Sequence, residues 1–195
     1  MIVLDWNRLK LIFGDLLSPS QIEGINTLIK EITEYGLKDK NVIAYILATC
    51  VYETQKKFIP NEERGDYDYF EQMYGIEGPR SAVASRMKNT EIGDGAKYRK
   101  RGVIWLLGKK AYEDMGIAIG INLVDNPDKV LELSIAYKIV VQGMMRGLFT
   151  GVGLQKYINN SKVDFTNARR TVNGTDNAKR IAMMAEQLVS VIKEV

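Results

Sequence analysis

Three glutamates close together in the chain have the residue type and spacing for acid–base chemistry. Glu53 ends an apolar helical stretch, and the residues three and seven positions earlier, Cys50 and Ile46, are also apolar. Partial burial at that helix end favours the protonated carboxyl that a general acid must carry. Glu62 and Glu63 lie in the loop that follows. Two carboxyls about 6.5–9.5 Å apart, with room for a water, perform inverting glycoside hydrolysis; a solvated surface pair or a salt bridge also explains this spacing.

The composition excludes several other kinds of catalytic site. The sequence contains no histidine and one cysteine, Cys50. Ser-His-Asp and Cys-His nucleophiles are therefore excluded, and an internal disulfide cannot form. A catalytic zinc site is not expected without histidine. Cys50 falls on the apolar face of its helix, so we predict a core residue and not a nucleophile.

Charge is distributed unevenly although the net charge is only +3. Residues 97–110 carry six bases and no acid, whereas residues 53–71 carry six acids and three bases. Such runs are typical of solvated faces, and the functional alternative is an acidic cleft beside a basic rim that attracts an anionic polymer. The small net charge argues against a nucleic-acid-binding protein.

Helical periodicity dominates the chain, and strand signals are few. The 195 residues, 46% hydrophobic and 26% charged, fit a single soluble domain with an N-terminal helical extension over about 1–18. No apolar run reaches the length of a membrane span. We predict a mainly α fold of about ten helices with long loops around a cleft. The predicted helices cover 19–36, 40–57, 70–74, 79–87, 106–119, 127–146, 154–158, 165–172 and 176–193, with 127–146 as the central buried helix.

An ordered set of short motifs resembles glycoside hydrolase family 19, which contains plant-type chitinases and many phage endolysins. Its phage members read roughly A-x-x-x-H-E-[TS], F-x-P-x-x-E, N-T-E-P-G-D-G, Y-R-G-R-G-x-I, L-V-x-N-P, F-T-G and a closing D-F-x-x-A-R-x-x-[IV]-N-G with R-I-A. The similar stretches here are A-T-C-V-Y-E-T at 48–54, F-I-P-N-E-E at 58–63, N-T-E-I-G-D-G at 89–95, Y-R-K-R-G-V-I at 98–104, L-V-D-N-P at 123–127, F-T-G at 149–151, D-F-T-N-A-R-R-T-V-N-G at 164–174 and R-I-A at 180–182. The resemblance implies a lysozyme-like family 19 glycoside hydrolase domain.

The resemblance also implies roles for particular residues. Glu53 matches the general acid that protonates the glycosidic oxygen, and Glu63 matches the general base that activates water, with Glu62 as the fallback base. Arg180 matches an arginine beside the acid, where its charge favours the carboxylate; a surface helix charge is the alternative. Asn173 matches an asparagine that hydrogen-bonds the substrate, although Asn173 and the following glycine also fit a simple turn.

Three residues of the basic segment are further candidates for contact with the substrate. They are Tyr98 and Arg101, within the Y-R-K-R-G-V-I stretch, and Trp105, whose indole suits stacking on a sugar face. The family mechanism requires no metal and no cofactor.

Three positions that are polar in the family pattern G-R-G-x-I-Q-L-[TS]-G-x-x-N-Y carry apolar residues here. Trp105 stands at the glutamine, Leu107 at the hydroxyl residue and Ala111 at the asparagine, and Tyr52 stands where a histidine usually precedes the acid. Leu107 cannot hydrogen-bond the attacking water. Two interpretations therefore remain: a hydrolase with a reshaped cleft, or a catalytically degenerate member that binds glycan or protein. If Trp105 and Leu107 are core residues, the second interpretation is favoured.

The sequence favours hydrolysis of β-1,4 bonds between the amino sugars of peptidoglycan, as a phage or prophage endolysin, with chitin as the second candidate substrate. We see no signal peptide, which predicts cytoplasmic accumulation in the producing cell and action at the bacterial wall after release. A separate pore-forming protein, or carriage in a virion, would then deliver the protein. The expected partner is peptidoglycan or a related amino-sugar polymer, without nucleic acid and without a membrane span.

Overall fold

The computed structural model describes residues 2–14 and 16–194, and within these ranges it contains ten α-helices and six short strands. The helices are α1 (Trp6–Phe13), α2 (Pro19–Tyr35), α3 (Lys40–Glu53), α4 (Tyr67–Tyr74), α5 (Ser81–Arg86), α6 (Asp94–Lys97), α7 (Lys109–Ile119), α8 (Leu133–Arg146), α9 (Phe165–Ala168) and α10 (Ala178–Val189). The strands are β1 (Val3–Leu4), β2 (Asn61–Glu62), β3 (Arg101–Gly102), β4 (Ile158–Asn159), β5 (Lys162–Val163) and β6 (Ile192–Glu194). The mainly α prediction is confirmed. Each strand forms one antiparallel pair, β1 with β6, β2 with β3 and β4 with β5.

The chain forms two compact units. One contains residues 1–59 and 140–195, and the other contains residues 60–139. In the first unit α10 packs on α3 and α9, and in the second α4 packs on α5 and α6. The single domain predicted from the sequence stays a prediction, and no Pro- or Gly-rich linker marks either passage between the units.

The predicted N-terminal extension is part of the first unit. Val3 and Leu4 pair with Glu194 and Ile192, and the Arg8 guanidinium donates to the Ser190 carbonyl. The prediction over about 1–18 includes Met1 and Asp15, which lie outside the described residues. In the described part of that segment, these contacts connect residues 3–8 with residues 190–194.

The central buried helix is α3, not the helix predicted over 127–146. Every residue from Val42 to Val51 is buried, so α3 is enclosed on all sides. The stretch 127–146 instead splits into a 3₁₀ helix, Pro127–Leu131, and α8, because Glu132 adopts an extended backbone (ψ 128°) between them. None of the described helices is long and apolar enough to cross a membrane.

The end of α3 is set by a hydroxyl rather than by the hydrophobic pattern, which predicted a helix to about residue 57. The Thr54 hydroxyl donates to the Cys50 carbonyl and accepts from the Phe58 amide. Gln55 and Lys56 then adopt left-handed backbone angles (φ 51° and 67°), which end an α-helix. This tight turn leaves Glu53 as the last residue of the buried helix.

Gly24 allows α2 to pack closely on the chain that leaves this turn. A Cβ placed there would lie 2.4 Å from the Phe58 carbonyl oxygen and 2.6 Å from the Phe58 Cβ. We expect Gly24→Ala to lower the free energy of unfolding by about 1–3 kcal/mol, because backbone atoms must move. Urea denaturation measures the change, with Asn26→Ala at an exposed position of α2 as control. A stability equal to wild type would contradict this packing.

Candidate active-site residues

Glu53 lies at the end of α3, where it meets a buried arginine. Arg169 donates from Nη1 to Glu53 Oε1 at 2.6 Å and from Nε to the Asp176 carbonyl at 3.0 Å. The Arg169 side chain is 2% exposed, and that of Glu53 is 23% exposed. The carboxylate is thus reachable from solvent on one side and fixed on the other.

The expected arginine beside the acid is therefore Arg169, and Arg180 occupies a different place. Arg180 is exposed and lies 6.0 Å from the centre of the Tyr52 ring, while Arg169 lies 5.4 Å from the same ring. Tyr52, which stands at the family's histidine, thus contacts both guanidiniums. Asn173 is exposed within a turn, and its backbone amide donates to the Arg169 carbonyl.

Cys50 is a core residue, as predicted. Its side chain is fully buried in α3. Burial raises the pKa of the Cys50 thiol well above its usual range, and the nearby Glu53 charge adds to this effect. The thiol therefore stays protonated at neutral pH and is no nucleophile.

Glu63, in the second unit, is held by two tyrosines and a lysine. The Tyr74 hydroxyl lies 2.9 Å from Oε1 and 3.0 Å from Oε2, and the Tyr69 hydroxyl lies 3.5 Å from Oε1. Lys100 Nζ is 3.2 Å from Oε1, and the Glu63 amide donates to the Lys100 carbonyl. Burial is the largest cause that raises the pKa of Tyr74; Glu63 adds to it and Lys100 opposes it. Tyr74 therefore remains a hydrogen-bond donor to Glu63.

The N-T-E-I-G-D-G segment supports this arrangement instead of facing a ligand. The fully buried Asn89 donates to the Tyr74 carbonyl and accepts from the Lys109 amide. Glu71 of α4 accepts the backbone amides of Gly93 and Ala96. These bonds fix the loop before β3 against α4, and they explain why these residue types occur at this spacing.

Glu62 points into a pair of arginines. Its Oε2 accepts from Arg99 Nη2 at 2.7 Å and lies 3.5 Å from Arg101 Nε, and its side chain is 43% exposed. Glu62 therefore forms a surface ion pair with Arg99 and Arg101. Glu63 has the more enclosed environment, with a side chain 13% exposed.

Tyr98 and Arg101, both predicted to contact substrate, lie in the interior of the second unit. Tyr98 is 1% exposed, and its hydroxyl donates to the Val124 carbonyl. Arg101 is 2% exposed; its Nη1 donates to the Lys97 carbonyl and the Tyr112 hydroxyl, and its Nε lies 3.1 Å from Asp128. We therefore reassign both residues from substrate contact to support of the loop, because neither side chain reaches the surface.

Trp105 is a surface residue and not part of the core. Its side chain is 46% exposed, whereas the following Leu106 is 3% exposed. The indole Nε1 donates to the Asn61 Oδ1 of β2, which fixes the ring next to the strand that carries Glu62. Leu107 and Ala111 are partly exposed. Trp105 is therefore not a core residue, and its ring is available to a ligand.

Most bases of the run 97–110 are paired with acids of the second unit. Their ion pairs are Arg99–Glu62, Lys100–Glu63, Arg101–Glu62, Arg101–Asp128, Lys109–Asp94 and Lys110–Asp114, and three of these involve Glu62 or Glu63 of the acidic run. Such pairing argues against the alternative of an acidic cleft beside a basic rim. Within the described ranges, only Lys97 of the six bases has no acidic partner.

An open cavity of about 500 Å³ adjoins these carboxylates in the second unit. Its lining includes three acidic residues, Glu62, Glu63 and Asp66, and two aromatic residues, Tyr67 and Phe70. Tyr67 is 53% exposed, whereas Phe70 is buried. Carboxylates beside an exposed aromatic ring suit a hydroxyl-rich ligand with apolar faces. Among the described residues, no three aspartate, glutamate or cysteine side chains are grouped as a metal site requires.

Sequence comparisons identify no relative. No model of a protein family matches the chain, and no curated protein matches its sequence.

Solved structures match over nearly the whole chain. Chitinase C from Streptomyces griseus HUT6037 matches with a TM-score of 0.65 at 18% identity, over 98% of this chain and 78% of that chain. A mutant of chitinase C matches with a TM-score of 0.63 at 16% identity, over the same shares. A bacterial family 19 chitinase matches with a TM-score of 0.52 at 16% identity, over 93% of this chain and 94% of that chain. The fold predicted from the motifs is confirmed: the chain has the fold of the family 19 chitinases.

Proposed function

We propose that the protein is a glycoside hydrolase that cleaves β-1,4 bonds between the amino sugars of peptidoglycan. The observation that carries the proposal is the Glu53–Arg169 pair: a partly exposed carboxylate at the end of a buried helix, fixed by an arginine that is 2% exposed. Removing an arginine from water costs free energy, so such a pair adds little net stability to a fold. Pairs of this kind are typical of functional sites. The chitinase fold and the ordered motifs support the same assignment.

The proposed mechanism is a single displacement with inversion. Glu53 donates its proton to the glycosidic oxygen as the bond to the anomeric carbon breaks. Glu63 accepts a proton from the water whose oxygen bonds to that carbon on the opposite face. Neither step needs a metal ion.

Peptidoglycan is the proposed polymer because the motifs resemble the compact phage members of the family. The chitinases among the structural neighbours make chitin the second candidate. Release of dye from labelled peptidoglycan and from labelled chitin separates the two substrates, and mass spectrometry of the new reducing ends identifies the bond. Release from chitin alone would overturn the choice of polymer and keep the hydrolase.

A glycan-binding protein without catalysis is the second candidate function. The exposed indole of Trp105, together with Leu107 and Ala111 at usually polar positions, favours it. Wild-type protein that pelleted with peptidoglycan or chitin and released no dye would establish this function and overturn the hydrolase.

Delivery to the wall through a separate pore-forming protein, or inside a virion, completes the proposal. Expression in a bacterial host with and without a membrane pore-forming protein tests the first route, with turbidity as the readout. Lysis that required the second protein would support it. Lysis by the hydrolase alone would contradict it.

Lys97 is the base through which attraction to an anionic wall is best tested, because its ammonium faces only the Tyr98 ring, 5.2 Å away. We expect Lys97→Glu to weaken sedimentation with peptidoglycan by about two- to fivefold at low salt. At 0.5 M salt we expect no effect, because the Debye length falls to about 4 Å and salt screens the attraction between charges. Lys129→Glu, on the Pro127–Leu131 helix, is the control. Equal weakening at both salt concentrations would exclude electrostatic attraction.

A further inference from the structure

Lys100 places a positive charge directly on the proposed base. It stands at a glycine of the pattern Y-R-G-R-G, and its Nζ lies 3.2 Å from Glu63 Oε1. Desolvation lowers the pKa of Lys100, but hydrogen bonding to Tyr74 and Glu63 outweighs it and leaves this pKa raised. The lysine therefore stays charged at any pH at which the protein would act.

Two aromatic rings hold the ammonium in place. Lys100 Nζ lies 5.6 Å from the centre of the Tyr74 ring and 5.5 Å from the centre of the Trp105 ring. Trp105 is itself fixed by its hydrogen bond to Asn61. Cation–π contacts with both rings restrict a side chain that is otherwise flexible. Lys100, a departure from the family pattern, thus contacts Glu63 directly, and Trp105, another departure, restrains Lys100.

The contacts make the two oxygens of Glu63 unequal. Oε1 faces the Lys100 ammonium and the hydroxyls of Tyr74 and Tyr69. Oε2 has only the Tyr74 hydroxyl, which it shares with Oε1. Among the described residues, Oε2 is therefore the oxygen with lone pairs left for a water molecule.

We propose that Lys100, held between Tyr74 and Trp105, is a positioning residue that occupies Oε1 of Glu63 and leaves Oε2 to take the proton from the attacking water. The inference rests on the proposed function, since it assigns the base its working oxygen. The proton passes from water to Oε2, the water oxygen bonds to the anomeric carbon, and the leaving sugar receives its proton from Glu53. Lys100 thereby supplies, from the side of β3, a polar contact at a site where Leu107 offers none.

The groups that face Glu63 are few, so the effect of Lys100 can be isolated. Helix α4 contributes the hydroxyls of Tyr69 and Tyr74, and the segment before β3 contributes the Lys100 ammonium. The neighbouring Glu62 is engaged by Arg99. Removal of the lysine charge therefore changes one charge in direct contact with Glu63.

Kinetics of Lys100→Met provide the first test. The methionine keeps the stem between the rings and removes the charge. We expect kcat on labelled peptidoglycan to fall about 10- to 100-fold, because the carboxylate loses its orientation, with KM little changed. Lys100→Arg should restore most of kcat, since it keeps a cation. Lys30→Met, on an exposed pair of α2, is the control for the loss of one charge. A wild-type kcat in Lys100→Met would overturn the proposal.

Crystal structures of the wild type and of Lys100→Met provide a second test that requires no activity. We expect the wild type to show the Lys100 ammonium within hydrogen-bond distance of Glu63 Oε1. In Lys100→Met we expect the Glu63 carboxylate to rotate or to occupy two orientations, because Oε1 has lost its cation. An unmoved carboxylate would overturn the positioning role of Lys100 whatever the activity. An inactive wild type whose Glu63 carboxylate moves in Lys100→Met would instead overturn the proposed function and the catalytic role of Oε2.

Discussion

Glu53→Gln is expected to lower the rate of dye release from peptidoglycan by about 10²- to 10⁴-fold, the range that general acid catalysis contributes. The amide has the size of the carboxyl but carries no acidic proton for the glycosidic oxygen. Its carbonyl still accepts the hydrogen bond from Arg169, so the buried arginine keeps a partner. A loss of activity with an unchanged unfolding transition would therefore report chemistry and not folding.

Glu63→Gln is expected to cause a loss of similar size, because an amide cannot take a proton from water. Glu62→Gln is the matched control: it is the adjacent residue, lines the same cavity and is paired with Arg99 instead of the tyrosines. We expect this control to keep activity within about threefold, since exposed ion pairs contribute about 0.2–1 kcal/mol. If Glu62→Gln lost activity and Glu63→Gln kept it, the base would have to be reassigned to Glu62.

Local signals in the sequence predicted the helices that carry their own end signals. For α2, Ser18 accepts the Gln21 amide in a capping box, Pro19 opens the helix, and Gly36 closes it with a left-handed backbone. For α3, Asp39 caps the start as expected. The end of α3 was misplaced because no glycine or proline marks it. The Thr54 hydroxyl and two residues with left-handed backbone angles end the helix. The pattern of hydrophobic residues contains no signal for either feature.

The partner of Glu53 could not be chosen from the sequence. Arg169 and Arg180 both lie in the closing motifs, and both contact the ring of Tyr52. Which of them reaches the carboxylate depends on how α9 and α10 pack on α3, across 116 residues of chain. The signal that was available is the position of Arg169 in the A-R-R-T-V-N-G block, where it is the first residue of the short 3₁₀ helix Arg169–Thr171.

The side chains of the segment 98–106 were equally ambiguous. A short strand and turns follow each other there. Neither the two-residue repeat of a strand nor the 3.6-residue repeat of a helix therefore predicts which side chains are buried. Burial of Tyr98 and Arg101 and exposure of Trp105 follow from contacts with Val124, Tyr112 and Asn61, which are distant in sequence. The pairing of the acidic and basic runs likewise depends on the β2–β3 pair, which brings residues 61–62 beside 101–102.

Arg169→Met is expected to have the largest effect on stability. The variant leaves Glu53 at the end of an apolar helix without its ion-pair partner, and it leaves the Asp176 carbonyl without the donor at 3.0 Å. Removing one partner of a buried pair costs about 3–5 kcal/mol, and the partial exposure of Glu53 places this pair near the lower end. We therefore expect the free energy of unfolding to fall by about 3 kcal/mol.

For a chain of this size, that loss lowers Tm by roughly 6–12 °C. Thermal and urea denaturation followed by circular dichroism measure the effect, with Arg170→Met as the control at the adjacent, exposed arginine, which we expect to stay within about 0.5 kcal/mol of wild type. The double variant Arg169→Met/Glu53→Gln should recover part of the stability, because it no longer leaves a carboxylate without its cation. Equal losses in Arg169→Met and in the double variant would mean that the arginine stabilises the fold through Asp176 and Tyr52 alone. Glu53 would then need another explanation for its place at the end of α3.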